Sequence, residues 1–332
     1  MNQPFVRFGG LPGAVGVVVS VLLTFPPAAS ARQEKTNQIV IRADDVPDRG
    51  PAAAKVRPGR RRRAPPFTVK VMADPSNVQA PQASLTRLIV GPASRVAMHR
   101  HPRSAKILYL MKGRARLLGP AGTKPIKMMP GSAAYLPPGW PHVIENMGRQ
   151  AEAHFLQAFS PPGPERVYRD PKNRAARVDF EVIRNPRIKA PPGPKPALAT
   201  IEKATVNKFP GGKGVAKILL EEKTTGSSAM ALAVLELDGG GELPRHAHTG
   251  ASELLYVLQG GGKVTVGGET HSFGPNTAIY IPADQPHGAK ITGSGQTIAV
   301  QIYAPAGPEQ RFRGALPPGA KLGVETARKE GQ

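Results

Sequence analysis

The chain has 332 residues, enough for about two domains that each bury a core. It contains no cysteine, which excludes disulfides and thiolate-bound metal, and its 37 glycines and 37 prolines favour short strands and turns over long helices. The net charge of +22 is lopsided: residues 32–204 hold 32 basic and 12 acidic side chains, and residues 205–305 hold 7 and 8.

The N-terminus has the pattern of an export signal. Arg7 is the only charge in the first 31 residues, an apolar run fills residues 11–25, and Ala29, Ser30 and Ala31 form a small-residue cleavage site. That run is shorter than the ~20 residues a membrane helix needs. The expectation is a signal peptide over 1–31, a periplasmic or secreted location, and a mature chain without a membrane span. Residues 32–66 are charged, Pro-containing and without apolar period, so they read as a disordered basic linker. Four arginines at 60–63 are its densest charge. No aromatic residues interleave with them, so the expectation is a solvated linker or contact with an anionic cell-envelope surface rather than nucleic acid.

The first alternating segment begins at Phe67. From there the chain repeats itself. His99 and His101 correspond to His246 and His248 at an offset of 147, His142 to His287 at 145, and the closing segment 157–165 to 301–309 at 144. The halves are expected over 67–172 and 200–316, joined by a Pro-rich connector over 173–199, with a flexible tail over 317–332. Short apolar runs punctuated by Gly and Pro, such as 253–258, 263–266 and 277–281, make each half all-β, a sandwich or barrel.

His246, His248, Glu253 and His287 are the strongest candidate site. Three imidazoles and a carboxylate suit one first-row divalent metal, and alternation along a strand points His246 and His248 the same way. Mn, Fe, Co, Ni, Cu and Zn all accept this donor set. Alternation also makes Gln301 and Tyr303 share a face while Ile302 takes the other, with Gln157 and Phe159 their counterparts. Gln301 and Tyr303 then serve either as a hydrogen bond and a proton donor in the pocket or as structural caps. Tyr256 falls opposite Glu253 and reads as core packing, and Glu309 as a local turn contact. In the first half His99, His101 and His142 persist, but Lys106 stands where the carboxylate would, and an ammonium repels a divalent cation. Three readings compete there: a degenerate barrel kept for packing, an anion site using Lys106, and a weak three-histidine metal site.

These residues resemble the cupin superfamily. Gly240, His246, His248, Glu253 and Gly260 satisfy its first motif at every position, and Gly131, Pro137, Gly139, His142 and Asn146 satisfy its second. In the second half Asp284 replaces the motif glycine and Ile291 the asparagine. The resemblance implies two tandem double-stranded β-helix (jelly-roll) barrels, a bicupin, with a metal inside the second barrel. Similarity to quercetinase-like bicupins implies a dioxygenase-like oxidoreductase acting on a small oxygenated substrate. An oxalate-type decarboxylase or isomerase, or a non-catalytic envelope protein binding a sugar or carboxylate, are the alternatives. A homo-oligomer is compatible with any of these.

Overall fold

A computed structural model describes residues 38–50, 65–79, 81–172, 175–185, 187–209 and 213–314. The proposed signal peptide, the four-arginine run and the C-terminal tail lie outside them. The regular structure of the described residues is mainly antiparallel β-strand, with α-helices of only four residues at Arg166–Arg169 and Glu222–Thr225 and a few short 3-10 turns. It forms two barrels, each made of a large and a small sheet.

The large sheet of the first barrel has the order Ala197–Thr200, Ser132–Leu136, Ala105–Lys112, Ala153–Ser160, Ser84–Val90, Phe67–Ala73. Its small sheet has the order Glu181–Val182, Arg95–Arg100, His142–Asn146, Ala115–Leu118, Ile126–Met128. In the second barrel the large sheet runs Val40–Arg42, Thr277–Ile281, Ser252–Gln259, Thr297–Ala304, Ala231–Leu237, Gly214–Leu220, Thr205–Lys208. Its small sheet runs Glu242–His246, His287–Ile291, Gly262–Val266, Glu269–Phe273.

Strand alternation gives each large sheet two buried faces. In the first barrel Leu108, Leu110 and Phe155 fill the interior, while Ile107, Tyr109 and Leu156 face outward. In the second, Leu255, Val257 and Ile279 face inward, and Leu254, Tyr256 and Ile302 face outward. The outward faces of the two large sheets meet in one shared apolar layer. The barrels therefore pair within a single chain, and Tyr256 packs between them. Burying one Leu or Ile side chain is worth about 1.5–3 kcal/mol, against about 0–1 kcal/mol for an exposed ion pair. This layer is what joins the halves. Gln82 reinforces it by donating to the carbonyl of Gly250 at 2.8 Å and accepting from the Ser252 N–H at 2.7 Å.

The linker and connector readings need correction. Within 32–66, Val40–Arg42 is an edge strand of the second barrel, pairing Val40 with Ile279. Ile39, Ile41 and Ala43 are buried there, so three small apolar anchors outweigh the charges around them. Within 173–199, Glu181–Val182 pairs with Arg100 and His99, and Ala197–Thr200 extends the first barrel's large sheet. The connector thus contributes two short strands to the wall of the first barrel.

The repeat extends to ion pairs that the sequence did not announce. Arg169 holds both oxygens of Asp74 at 2.8 and 2.9 Å, and Arg313 holds both oxygens of Glu221 at 2.9 and 3.0 Å. Each fork ties the turn after the last barrel strand to the end of the barrel's opening segment.

Candidate metal centre

The second barrel brings its four proposed ligands together. The strand Glu242–His246 pairs with His287–Ile291 so that His246 lies opposite His287. Glu253 opens the next strand of the large sheet, in register with Tyr303. The turn between His248 and Glu253 is held by Asp284, whose carboxylate accepts the Gly250 N–H at 3.0 Å. Asp284 has φ +63°, the left-handed conformation that Gly139 adopts at φ +75° in the first barrel. The missing glycine is therefore replaced by a residue type that tolerates this conformation and adds a hydrogen bond.

One donor atom from each of His246, His248, Glu253 and His287 lies within 4.8 Å of the other three. The Nδ1 atoms of His246 and His287 sit 2.7 and 2.8 Å from the carbonyls of Pro244 and Gln285. An Nδ1–H that donates to a carbonyl leaves Nε2 as a lone pair aimed inward. Both of these Nε2 atoms are buried without a hydrogen bond. Glu253 Oε2 lies 3.0 Å from His248 Nε2 and 3.1 Å from His287 Nε2. Such separations match the edge between neighbouring ligands on bonds of ~2.1 Å at right angles. Converging lone pairs repel unless a cation sits between them. The group therefore fits a single divalent transition metal ion.

Local electrostatics favour the deprotonated forms that bind metal. Burial, with help from Arg311 and His287, lowers His246 to about 3. Burial also lowers His248, against the pull of Glu253. Burial alone would raise Glu253, but its contacts with His248 and His287 outweigh that and hold it well below the usual carboxylate range.

Gln301 and Tyr303 both point into the barrel, as alternation required. Gln301 Nε2 donates to Glu253 Oε1 at 2.5 Å, which fixes the carboxylate with its other oxygen toward the histidines. Tyr303 packs edge-on against His248 at 4.9 Å and accepts from Arg311 Nη2 at 3.0 Å. Burial raises the Tyr303 phenol well above its ordinary value, so it stays protonated. Glu309 is a turn contact, accepting the Gly307 N–H at 2.7 Å.

Arg311 is the residue that sequence reasoning missed. It sits on the short helical turn Pro308–Arg313 after the last strand, where no periodicity marks a direction. Its Nη1 lies 3.3 Å from His248 Nε2. With His246, Glu253 and His287 it lines a cavity of about 40 Å³ whose other walls are apolar, among them Leu235, Leu255, Val264 and Ile281. The signal was available in the repeat, since the same offset of 144 places Val167 at this position in the first half.

The first barrel assembles His99, His101 and His142 in the same way. Their Nδ1 atoms face the carbonyls of Ala97, Asp179 and Trp140 at 2.7, 3.1 and 3.0 Å. Lys106 occupies the fourth corner, its Nζ 3.3 Å from His142 Nε2 and 5.3 Å from the centre of the Phe159 ring. Burial drives Lys106 well below its ordinary value. Phe180, from the connector, stacks on His99 at 4.6 Å and covers the group. Gln157 has no carboxylate to hold and donates instead to Thr86 at 3.1 Å. Arg100 and Arg103 face away from the site and pair with Glu181 and Asp179.

Comparison with known proteins agrees with this architecture. The family model described as Cupin matches residues 68–185, and the one described as Cupin domain matches 233–303, together more than half the chain. Uncharacterized protein MJ1618 of Methanocaldococcus jannaschii is 30% identical over 80 residues, 24% of this chain and 62% of that protein. Dimethylsulfoniopropionate lyase DddW of Ruegeria pomeroyi is 39% identical over 70 residues, 21% of this chain and 45% of that protein. The chain thus matches less than two thirds of the length of either relative. Among solved structures, oxalate decarboxylase of Bacillus subtilis superposes with a TM-score of 0.60 at 14% identity, covering 82% of this chain and 78% of that one. That enzyme is described as having Mn(II) centres. At this identity the likeness speaks for the fold.

Proposed function

The chain belongs to the cupin superfamily, as two cupin barrels in tandem, and on that premise we propose that its second barrel is a metal-dependent active site for a small carboxylate. The observation that carries this reading is Arg311. Its guanidinium lies beside His248 and Tyr303 and, with the proposed ligands His246, Glu253 and His287, lines a cavity whose remaining walls are largely apolar. A fixed cation in such surroundings recognises an anion, and a guanidinium matches a carboxylate in shape. The cavity is small: a water needs about 10–15 Å³ of comparable volume, so about 40 Å³ takes only a few heavy atoms. The names of two similar proteins fit the same class, since oxalate and dimethylsulfoniopropionate are both small carboxylates.

His246, His248, Glu253 and His287 would hold the metal. A bound metal would polarise a substrate oxygen and stabilise negative charge as it develops. The chain's own groups do the rest. Arg311 binds and orients the carboxylate. Burial keeps the Tyr303 proton in place against the opposing pull of Arg311, which leaves the phenol a proton to donate to a substrate oxygen or carbon. Gln301 keeps Glu253 from rotating. The apolar walls exclude bulk water, which strengthens each of these interactions. The reaction class that uses these groups together is cleavage of a bond next to the carboxylate, as in a decarboxylase or lyase.

The dioxygenase-like reading is favoured by one feature, the apolar walls of the cavity beside the residues that would hold the metal, which would admit dioxygen. A panel of small carboxylates and phenols, offered to protein loaded with Mn, Fe, Ni or Cu, separates the readings. Release of carbon dioxide or an elimination product, lost in Arg311→Met, supports the carboxylate enzyme. Oxygen uptake with phenols, indifferent to Arg311→Met, would replace it with the dioxygenase. Tight ligand binding without turnover by any metal form would leave a binding protein. Export is part of the proposal and is checked by sequencing the N-terminus of protein recovered outside the cytoplasm, which should begin at Arg32.

A further inference from the structure

A second cavity, of about 230 Å³, opens on the side of the first barrel, and nothing in the proposed activity uses it. Its throat is apolar: Leu117, Leu136 and the indole of Trp140 are buried there, with Leu118 and Ile126 half-buried. Its inner end reaches His142. Two lysines stand exposed at its rim on different segments. Lys124 is on the loop between the strands Ala115–Leu118 and Ile126–Met128, and Lys195 is on the connector just before Ala197–Thr200. The Ala121 N–H donates to the Ile188 carbonyl at 3.0 Å, which clips that loop to the connector.

Three features give this cavity the chemistry of a binding site. Lys124 and Lys195 make no ion pair or hydrogen bond among the described residues, and neither does the indole N–H of Trp140. Gly119 keeps the indole edge clear: a Cβ there would lie 3.4 Å from Trp140 Nε1 and 2.6 Å from Thr123 Oγ1. The volume is also telling, since an apolar cavity of ~150 Å³ is enough to take benzene. We propose that this cavity binds a monocyclic aromatic carboxylate, its ring in the throat between Trp140 and the leucines and its carboxylate at the rim between Lys124 and Lys195. A bare inorganic anion would leave the throat empty, and a neutral hydrocarbon would leave the two ammonium groups and the indole N–H unused.

Trp140 is the chain's single tryptophan, so its emission reports this cavity alone. The test titrates the full chain with benzoate, follows tryptophan emission, and measures binding heat in parallel. The expected result is saturable binding in the millimolar range or tighter. Benzamide, the neutral analogue, should bind at least about fivefold more weakly. The double variant Lys124→Gln/Lys195→Gln should lose that preference while still binding both. Gly119→Leu, which fills the throat from a surface loop, should abolish binding of both. His246→Ala, in the other barrel, should leave benzoate binding unchanged, so the result is independent of the proposed metal centre. Neither an emission change nor heat with benzoate would overturn the proposal. So would equal affinity for benzamide, or unchanged binding in Gly119→Leu.

Discussion

Lys106 and Glu253 occupy the same point of the same strand in two copies of one barrel, and each leans on the same histidine of its copy. Lys106 Nζ lies 3.3 Å from Nε2 of His142, and Glu253 Oε2 lies 3.1 Å from Nε2 of His287. One substitution thus puts an amine in place of a carboxylate at the centre of an otherwise shared nitrogen cage. The expected consequence is an asymmetry in metal affinity, since the second barrel offers three imidazoles and a carboxylate and the first offers three imidazoles beside an amine.

Metal content follows directly. The wild-type chain should carry about one tightly held divalent ion per chain, Glu253→Lys none, and Lys106→Glu about two. Gln157 stands ready to hold the new carboxylate as Gln301 holds Glu253. Elemental analysis of purified, desalted protein reads the result, and two ions in the wild type would defeat the asymmetry.

Lys106 also costs stability. Its folded value is depressed while the unfolded chain titrates near 10.4. The folded state therefore binds fewer protons across neutral pH, and the penalty shrinks as pH rises toward the unfolded value. Lys106→Met removes it and should stabilise the chain by about 1–3 kcal/mol at neutral pH, with a smaller gain at pH 10. Urea midpoints at the two pH values check both the sign and the trend.

The histidines set the acid limit of the metal-free protein. His99 and His246 are each lowered to about 3, His99 by burial and then by Lys106, His246 by burial and then by Arg311 and His287. Between about 3 and about 6.5 the unfolded chain binds more protons than the folded one, so stability falls as pH drops through that window. Above about 6.5 this contribution is complete. In a Lys106→Met background, which removes the lysine's own pH dependence, denaturation midpoints of apo protein should be flat from pH 7 to 8 and decline steadily from pH 6 to 4. His99→Phe should soften the decline, because the ring stacked on Phe180 keeps its shape and loses its proton site.

Gln301 and Arg311 are separable. Gln301→Leu removes the hydrogen bond that orients Glu253 and should weaken metal binding about 10–100-fold. Arg311→Met should leave metal content unchanged and lower kcat/KM for a carboxylate substrate roughly 100-fold, a loss of about 2–3 kcal/mol. Tyr303→Phe should do less to binding and more to kcat if its proton is used. Competition with a metallochromic dye reads the first effect and steady-state kinetics the others.

Much of this site was legible because β-structure has period two. His246 and His248, then Gln301 and Tyr303, could be assigned to one interior from spacing alone, and Tyr256 to the opposite face. Arg311 escaped because it follows the last strand, on a turn whose direction is set by the Arg313–Glu221 fork rather than by alternation. Phe180 and the strand Val40–Arg42 escaped for a related reason. Short anchors embedded in charged or Pro-rich sequence carry no period, and their burial depends on a surface built by residues more than 70 positions away.

The strand Val40–Arg42 has one more consequence. It belongs in sequence to the segment before the first barrel, yet it completes the edge of the second barrel's large sheet beside Ile279. A protease that cut the chain between the barrels would therefore not release two modules. It would leave a nicked pair in which the leading fragment still clasps the trailing one, and the trailing barrel expressed alone would begin life with an open edge. The duplication has become a closed loop of dependence, so neither half is free to be lost or exchanged by itself.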